Sequence, residues 1–271
     1  MKTIIEAQGL TKVYKGGILA VDHVSFSVFE GEIFGFLGPN GAGKSTTIAL
    51  LTTLLSPTKG TATINGIDII KHAYQARLEL GFVSQDLAVE DSLTGFDNLR
   101  LQAGFYHLSR TEARDRIAEV LKMVDLTARA KDKVETYSGG MRKRLDIACG
   151  LIHRPRILFL DEPTLGLDIQ TRREIWKYIN NLREQIKMTI FLTTHYMDEA
   201  DSLCDRIAII DRGIIKTLDT PVALKDAIRH EVENPTLDDV FLHHTGKEMR
   251  DDPTSKEQAY KSRMIMRRAR G

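Results

Sequence analysis

Cysteine is scarce: the 271 residues include two, Cys149 and Cys204. They are too few and too far apart for a disulfide framework and form no metal-ligand cluster, so reduced, core-packed thiols of an intracellular protein are expected. An excess of charge of one sign is also missing, with 38 Lys and Arg against 37 Asp and Glu. That balance excludes the global basic field of a nucleic-acid binder and the acidic character of a solvating chain. Long hydrophobic runs do not occur. The longest, such as Ile207-Ala208-Ile209-Ile210, are strand-sized, whereas a membrane helix needs roughly 18 apolar residues. The opening "MKTIIEAQGL" has neither the apolar stretch nor the small-residue cleavage site of a secretory signal. The expectation is a soluble intracellular protein, long enough to bury a substantial core.

What is present is an α/β pattern. Short strand-like pieces, "TIIEAQ" and "HVSFSVFEGEIFGFL", are broken by Gly16-Gly17 and Glu30-Gly31, which predicts a small N-terminal antiparallel sheet. Continuous apolar strands follow at Ile33–Leu37, Ile157–Leu160, Thr189–Leu192 and Arg206–Ile210. Such strands are buried on both faces, so they predict a mainly parallel sheet covered by helices. Between Gln85 and Ser138 the strands stop. Thr111–Leu126 places Ala113, Ile117, Val120, Leu121 and Val124 on one helical face, so an all-helical insert interrupts the sheet there. The expected organisation is a domain over 1–222 with its helical part at about 87–136. A helical extension over 223–246 and a charged tail over 247–271 follow. In that tail Lys261–Arg270 holds five basic residues and no acid.

Gly38-Pro39-Asn40-Gly41-Ala42-Gly43-Lys44-Ser45-Thr46 follows the strand "EIFGFL" and precedes the helical "TTIALLTTLL". This is a G-x-x-x-x-G-K-[ST] phosphate loop in the strand–loop–helix context that it requires. The glycines let backbone N–H groups curl around phosphate oxygens, and the helix from Lys44 points its positive end at them. Lys44 can reach the β- and γ-phosphates, and the Ser45 hydroxyl can ligate Mg²⁺. A second element is "ILFLDEPTLGLD", a buried strand ending in Asp161 and Glu162 at the edge where open α/β sheets bind ligands. Asp161 suits Mg²⁺ coordination, and Glu162 can face an attacking water as a general base. Alone, such an acid pair would be a surface turn; beside a phosphate loop it reads as half of a site.

Taken in order, Tyr14, "GPNGAGKST", Gln85 after a strand, "YSGGM", "ILFLDEP", "GLD" and His195 in "TTHYMDEA" resemble the nucleotide-binding subunit of an ATP-binding cassette (ABC) transporter over roughly 1–219. The resemblance implies ATP and Mg²⁺ as cofactors and ATP hydrolysis as the activity. It implies that Tyr14 stacks on adenine, that Gln85 senses Mg²⁺ and the attacking water, and that Asp168 lies at a dimer seam. It implies that His195 holds the γ-phosphate and positions the water of Glu162. Alone, Tyr14 would be an edge-strand aromatic and His195 a strand-end histidine satisfied by backbone. There is one cassette and no sustained heptad pattern between Ser45 and Asp161, unlike the repair and translation members.

"YSGGMRKRLDIACGLIHRPRILFLDEPTLGLD", "TTHYMDEADSLCDRIAIIDRG" and "NPTLDDVFLHHTG" look like the ATP-binding subunits of ABC-2-type exporters, the daunorubicin-resistance and sodium-extrusion group. That implies separate membrane-spanning permease subunits, a homodimer or a pair with a paralogous ATPase, and a place on the cytoplasmic face of the membrane. A soluble regulatory ATPase without transport is the alternative. Leu237, Val240 and Phe241 in "PTLDDVF" are spaced for a short amphipathic helix packed on the core. In "YSGGM", Ser138, Gly139 and Gly140 precede a basic helix starting near Met141, a helix N-terminus fit for an anion. In the family this turn covers the γ-phosphate bound to the partner subunit. Tyr137 and Met141 depart from the commoner Leu and Gln, and Met141 cannot donate a hydrogen bond.

Overall fold

The computed structural model describes residues 2–246, so the expected tail and its basic run lie outside the described residues. In chain order the strands are β1 (Thr3–Val13), β2 (Leu19–Phe29), β3 (Ile33–Leu37), β4 (Lys59–Ile64), β5 (Ile67–Asp68), β6 (Leu80–Val83), β7 (Ile157–Asp161), β8 (Thr189–Thr194), β9 (Arg206–Asp211) and β10 (Ile214–Asp219). The α-helices are α1 (Lys44–Leu51), α2 (Ala73–Leu78), α3 (Gly95–Phe105), α4 (Arg110–Met123), α5 (Gly139–Leu151), α6 (Ile169–Ile186), α7 (Met197–Leu203), α8 (Pro221–Asp226) and α9 (Leu237–Thr245). One sheet has the order β2-β1-β4-β5 and the other β10-β9-β3-β8-β7-β6. The first is antiparallel. In the second β6, β7, β8, β3 and β9 run parallel, and only β10 turns back.

The period-two alternation of strand side chains divides this parallel sheet between two cores. Ile33, Leu37, Leu158, Leu160, Ile190, Leu192, Ile207 and Ile209 face the helices. Phe34, Phe36, Phe159, Phe191, Ala208 and Ile210 face the antiparallel sheet. There Phe191 lies 5.3–5.9 Å, centroid to centroid, from each of Phe26, Phe34, Phe36 and Phe159. Fully burying one such ring stabilises the fold by about 1.5–3 kcal/mol. Between two of these phenylalanines Gly35 faces the helices, where an added Cβ would sit 2.5 Å from Cys204 Sγ. Both cysteines are free and buried, as expected from their scarcity.

The insert between β6 and β7 is helical, with a single bridge, Thr94 to Lys133, as its only strand-like pairing among the described residues. Thr94 caps α3, and Ser109 with Glu112 forms a capping box at α4. The helix expected over Thr111–Leu126 ends at Met123, because Asp125 takes a left-handed φ of 47°. Its buried face holds Ile117, Val120 and Leu121, and also Arg116, whose guanidinium donates to the Leu151 and Ile152 carbonyls closing α5. Near the C-terminal side a capping box of Thr236 and Asp239 starts α9, and Leu237, Val240 and Phe241 are all buried on the core. No helix of the described residues is long and apolar enough to cross a membrane.

Candidate nucleotide site

Parallel register brings the site together. Leu37 pairs with Thr194, Asp161 with Thr193, and Val83 with Leu160, so the C-terminal ends of β3, β8, β7 and β6 form one edge. The phosphate loop leaves β3, Asp161 and Glu162 end β7, His195 follows β8, and Gln85 lies in an exposed bend after β6. Open α/β sheets bind ligands at such an edge.

The loop from Gly38 to Gly43 is shaped by its neighbours. A Cβ on Gly38 would lie 2.3 Å from the Ile210 carbonyl oxygen, and one on Gly43, at φ 105°, 2.5 Å from that of Ala20. Gly213 in the β9–β10 turn donates its N–H to the Ala42 carbonyl and braces the loop from behind. Pro39, Asn40 and Gly41 form the crest, with Gly41 at φ 82° and open space where a Cβ would be. The helix α1 that follows has no side-chain cap, so its first N–H groups remain available to an anion.

Lys44, 4% exposed, donates to the Gly38 carbonyl at 2.7 Å and the Pro39 carbonyl at 3.1 Å, and its Nζ pairs with Glu162 Oε1 at 3.1 Å. Ser45 donates its hydroxyl to Asp161 Oδ1 at 3.3 Å, and Thr193 donates to the same oxygen. The hydroxyl of Tyr14 lies 3.3 Å from Thr46 Oγ1, which places the tyrosine ring beside the start of α1. His195 Nδ1 sits 3.2 Å from Glu162 Oε2. The sequence candidates Lys44, Ser45, Asp161, Glu162 and His195 are therefore linked, with Thr193, through one set of contacts, and Tyr14 and Thr46 pair beside it at the start of α1.

The two acids differ in environment. Burial pushes the Asp161 carboxyl above its ordinary value, against the hydrogen bond from Thr193. Burial also acts to raise Glu162, but contacts with His195 and Lys44 outweigh it and hold this carboxyl below its ordinary value. Glu162 has a left-handed φ of 47°, with its N–H bonded to the Thr193 carbonyl and hydroxyl. Such a conformation is uncommon in a non-glycine residue and here aims an acid away from the strand line. Ser45 and Asp161 offer a hydroxyl and a carboxylate oxygen side by side. That hard-oxygen pair suits Mg²⁺, which binds through one or two carboxylates, waters and substrate phosphates. Among the described residues no cluster of three or more His, Cys, Asp or Glu forms a metal cage, so such an ion would depend on phosphate oxygens as well.

Ser138, Gly139 and Asp168 lie elsewhere, on an exposed face. Ser138 is the N-cap of α5, which begins at Gly139, two residues earlier than the basic pattern suggests. Its Oγ accepts the Met141 N–H at 3.3 Å, leaving the hydroxyl proton to donate. Gly140 is buried, and a Cβ there would lie 2.8 Å from Thr171 Cγ2, so its missing side chain serves packing of α5 on α6. Asp168 caps α6, accepting from the Thr171 N–H and hydroxyl. The N-termini of α5 and α6 thus open side by side. Tyr137 is buried, donates to the Arg129 carbonyl at 2.6 Å, and fills space that Gly95 leaves, where a Cβ would strike its hydroxyl at 2.4 Å. Met141 is partly buried against the core.

Sequence reasoning missed Thr193, which bonds both acids. Its hydroxyl lies in an apolar strand, and only the β7–β8 register brings it to Asp161.

A glycine-rich phosphate loop ahead of a helix, flanked by an Asp-Glu strand end and a histidine just after the neighbouring strand, defines a phosphate-loop nucleoside triphosphatase. Residues 21–165 match the "ABC transporter" family model. The linearmycin resistance ATP-binding protein of Bacillus subtilis (strain 168) is 44% identical over 82% of this chain and 70% of its own length. The doxorubicin resistance ATP-binding protein of Mycobacterium tuberculosis is 45% identical over 82% of this chain and 67% of its length. Among solved structures, a dimeric post-hydrolysis ATP-binding cassette bound to ADP and Pi is 30% identical, with a TM-score of 0.71 over 80% of this chain and 98% of its own. The chain belongs to the ABC transporter family, as an ATP-binding and ATP-hydrolysing subunit.

Proposed function

We propose that the protein energises an ABC-2-type exporter. Two copies, or one copy and a paralogous ATPase, enclose two ATP molecules and dock on separate membrane-spanning subunits at the cytoplasmic face of the membrane. In this reading residues 1–222 form the catalytic cassette with 87–136 as its helical part, and 223–246 are an appended extension. Support for export comes from the drug-resistance ATP-binding relatives. The observation that carries the chemistry is the chain of contacts from Lys44 through Glu162 to His195 at one strand edge.

Phosphoryl transfer to water needs positioning and electrostatics more than covalent work. The ring of Tyr14 stacks on adenine, and N–H groups of Gly38–Thr46 surround the phosphates. Lys44 exchanges its contact with Glu162 for phosphate oxygens, one anion for another. Ser45, Asp161 and Gln85 would hold Mg²⁺, and when bound it would neutralise charge on the phosphates. Glu162, ionised and turned out by its backbone, accepts a proton from the attacking water as the γ-phosphoryl moves to it and ADP leaves. Through Nδ1 His195 fixes Glu162, and its other nitrogen faces the γ-phosphate. Ser138, Gly139 and Gly140 of one subunit close on the γ-phosphate held by the other, with Asp168 at the seam. Contact that depends on the γ-phosphate gives a two-state cycle of closing and release.

Co-purification from detergent-solubilised membranes with a permease of about six spans, followed by candidate exporter substrates, tests the assignment. Substrate-stimulated hydrolysis of ATP is the expected result. An active ATPase that never leaves the soluble fraction and never captures a membrane protein would favour the regulatory alternative.

A further inference from the structure

Two charged residues on α5 have no place in the scheme above, yet they are buried as deeply as Lys44. Lys143 and Asp146 are 4% and 3% exposed. Placing a buried ion pair in a fold is costly unless each partner is used. Both are used on the same target. The ammonium of Lys143 donates to the Ser84 carbonyl at 3.1 Å, and Asp146 Oδ1 accepts the Ala88 N–H at 3.3 Å. Between them the Lys143 Nζ and Asp146 Oδ2 atoms lie 3.6 Å apart. Ser84 and Ala88 bracket the bend that carries Gln85, and the Ser84 hydroxyl donates to the Asp86 carbonyl within it. Gln85 itself is exposed at the strand edge.

The other end of the same helix is fixed to the strand that leads into this bend. A Cβ on Gly81 of β6 would lie 2.2 Å from the carbonyl oxygen of Gly150 on α5, and one on Gly150 would lie 3.2 Å from Val83 Cγ2. At Gly81 and Gly150 the helix and strand backbones approach closely, with Leu158 Cδ1 packed beside both glycines. Burial lowers the Lys143 ammonium and raises the Asp146 carboxyl from their ordinary values, which is the cost of holding the pair there.

We propose that Lys143 and Asp146 are positioning residues for hydrolysis, fastening the Gln85 bend to the helix capped by Ser138 so that each subunit's Gln85 moves with the turn that meets its neighbour's ATP. This rests on the roles assigned to Gln85 and Ser138. Closure on the neighbour's γ-phosphate then sets the subunit's own water- and metal-sensing residue, which links the two ATP sites through one helix.

A double-mutant cycle tests it on the full chain. The variants are Lys143→Met/Asp146→Leu, Gln85→Ala and their combination. Replacing both charges leaves neither alone in the core. The measurements are melting temperature, KM for ATP and kcat. With Gln85 present, the pair replacement should lower kcat about 10-fold or more, the scale of a misplaced group, while KM stays within about 2-fold. In the Gln85→Ala background it should lower kcat no further. Equal losses in both backgrounds, or an unchanged kcat in a folded Lys143→Met/Asp146→Leu protein, overturn the proposal and leave Gln85's role standing. An unchanged kcat in Gln85→Ala alone removes that role and the proposal with it. If the paired replacement does not fold, the same cycle with Lys143→Leu/Asp146→Ala, which also leaves neither charge alone, is decided by the same criteria.

Discussion

The N-termini of α1 and α5 are both approached through small residues, yet charge surrounds only the first. At α1 the loop meets Lys44, Asp161 and Glu162, all buried, and Lys44 and Glu162 are paired. At α5 Ser138 and Gly139 are exposed, and the Ser138 side chain is engaged with its own helix. The buried charges of α5 point away, to the Gln85 bend. A helix terminus alone contributes about 0.3–1 kcal/mol toward an anion. In the proposed cycle the α1 loop therefore holds the triphosphate, and the α5 turn gains from a phosphate that this loop has already placed.

The sharpest way to break this contrast is to disable each side in turn. Glu162→Gln keeps the shape of the first site and removes the base, so turnover should fall by about 10²–10⁴-fold while ATP still binds. Single-turnover hydrolysis alongside nucleotide titration reads both quantities. Wild-type turnover in this variant would remove Glu162 from the role of base. Ser138→Arg should do the reverse: ATP affinity of the single chain stays within about 2-fold, and ATP-dependent dimerisation is lost, a change of more than tenfold or about 1.4 kcal/mol. Light scattering with and without ATP measures it. Retained dimerisation would make α5 an ordinary surface helix.

The same contrast marks what could be read from the residues alone. The phosphate loop, the Asp161-Glu162 strand end and the parallel strands were legible because each is a local pattern: a spacing, a run of apolar residues, a turn. The continuous apolar strands do lie buried on both faces, between the two cores. Thr193 was not legible, since its value comes from pairing with a strand distant in the chain. Nor were Lys143 and Asp146. "MRKRLD" looks like a solvated basic surface, and only packing against β6 turns two of its charges inward. Arg116 escaped for a related reason: a guanidinium buries readily when it caps carbonyls, and no periodicity announces that. The start of α5 was misplaced by two residues because glycine and serine are poor helix formers in sequence but good N-terminal residues in context.

The smallest effects belong to the two positions where the α5 turn departs from the commoner family pattern. Tyr137→Phe deletes a buried hydroxyl bonded to the Arg129 carbonyl. The net loss of such a bond is about 1 kcal/mol, a fall in melting temperature of about 2–4 °C for a chain of this size. Turnover should barely change, because the hydroxyl points toward Gly95 and away from the exposed turn. Met141→Gln should do less still. The side chain is partly buried against the core and Ser138 already receives the Met141 N–H, so the backbone contact survives the exchange. Stability should move by no more than about 1 kcal/mol, and kcat and ATP-driven dimerisation by less than about 2-fold. A tenfold gain in dimerisation on introducing Gln would show that the α5 turn lacks a side-chain donor for its partner's nucleotide, and that Met141 had weakened the clamp.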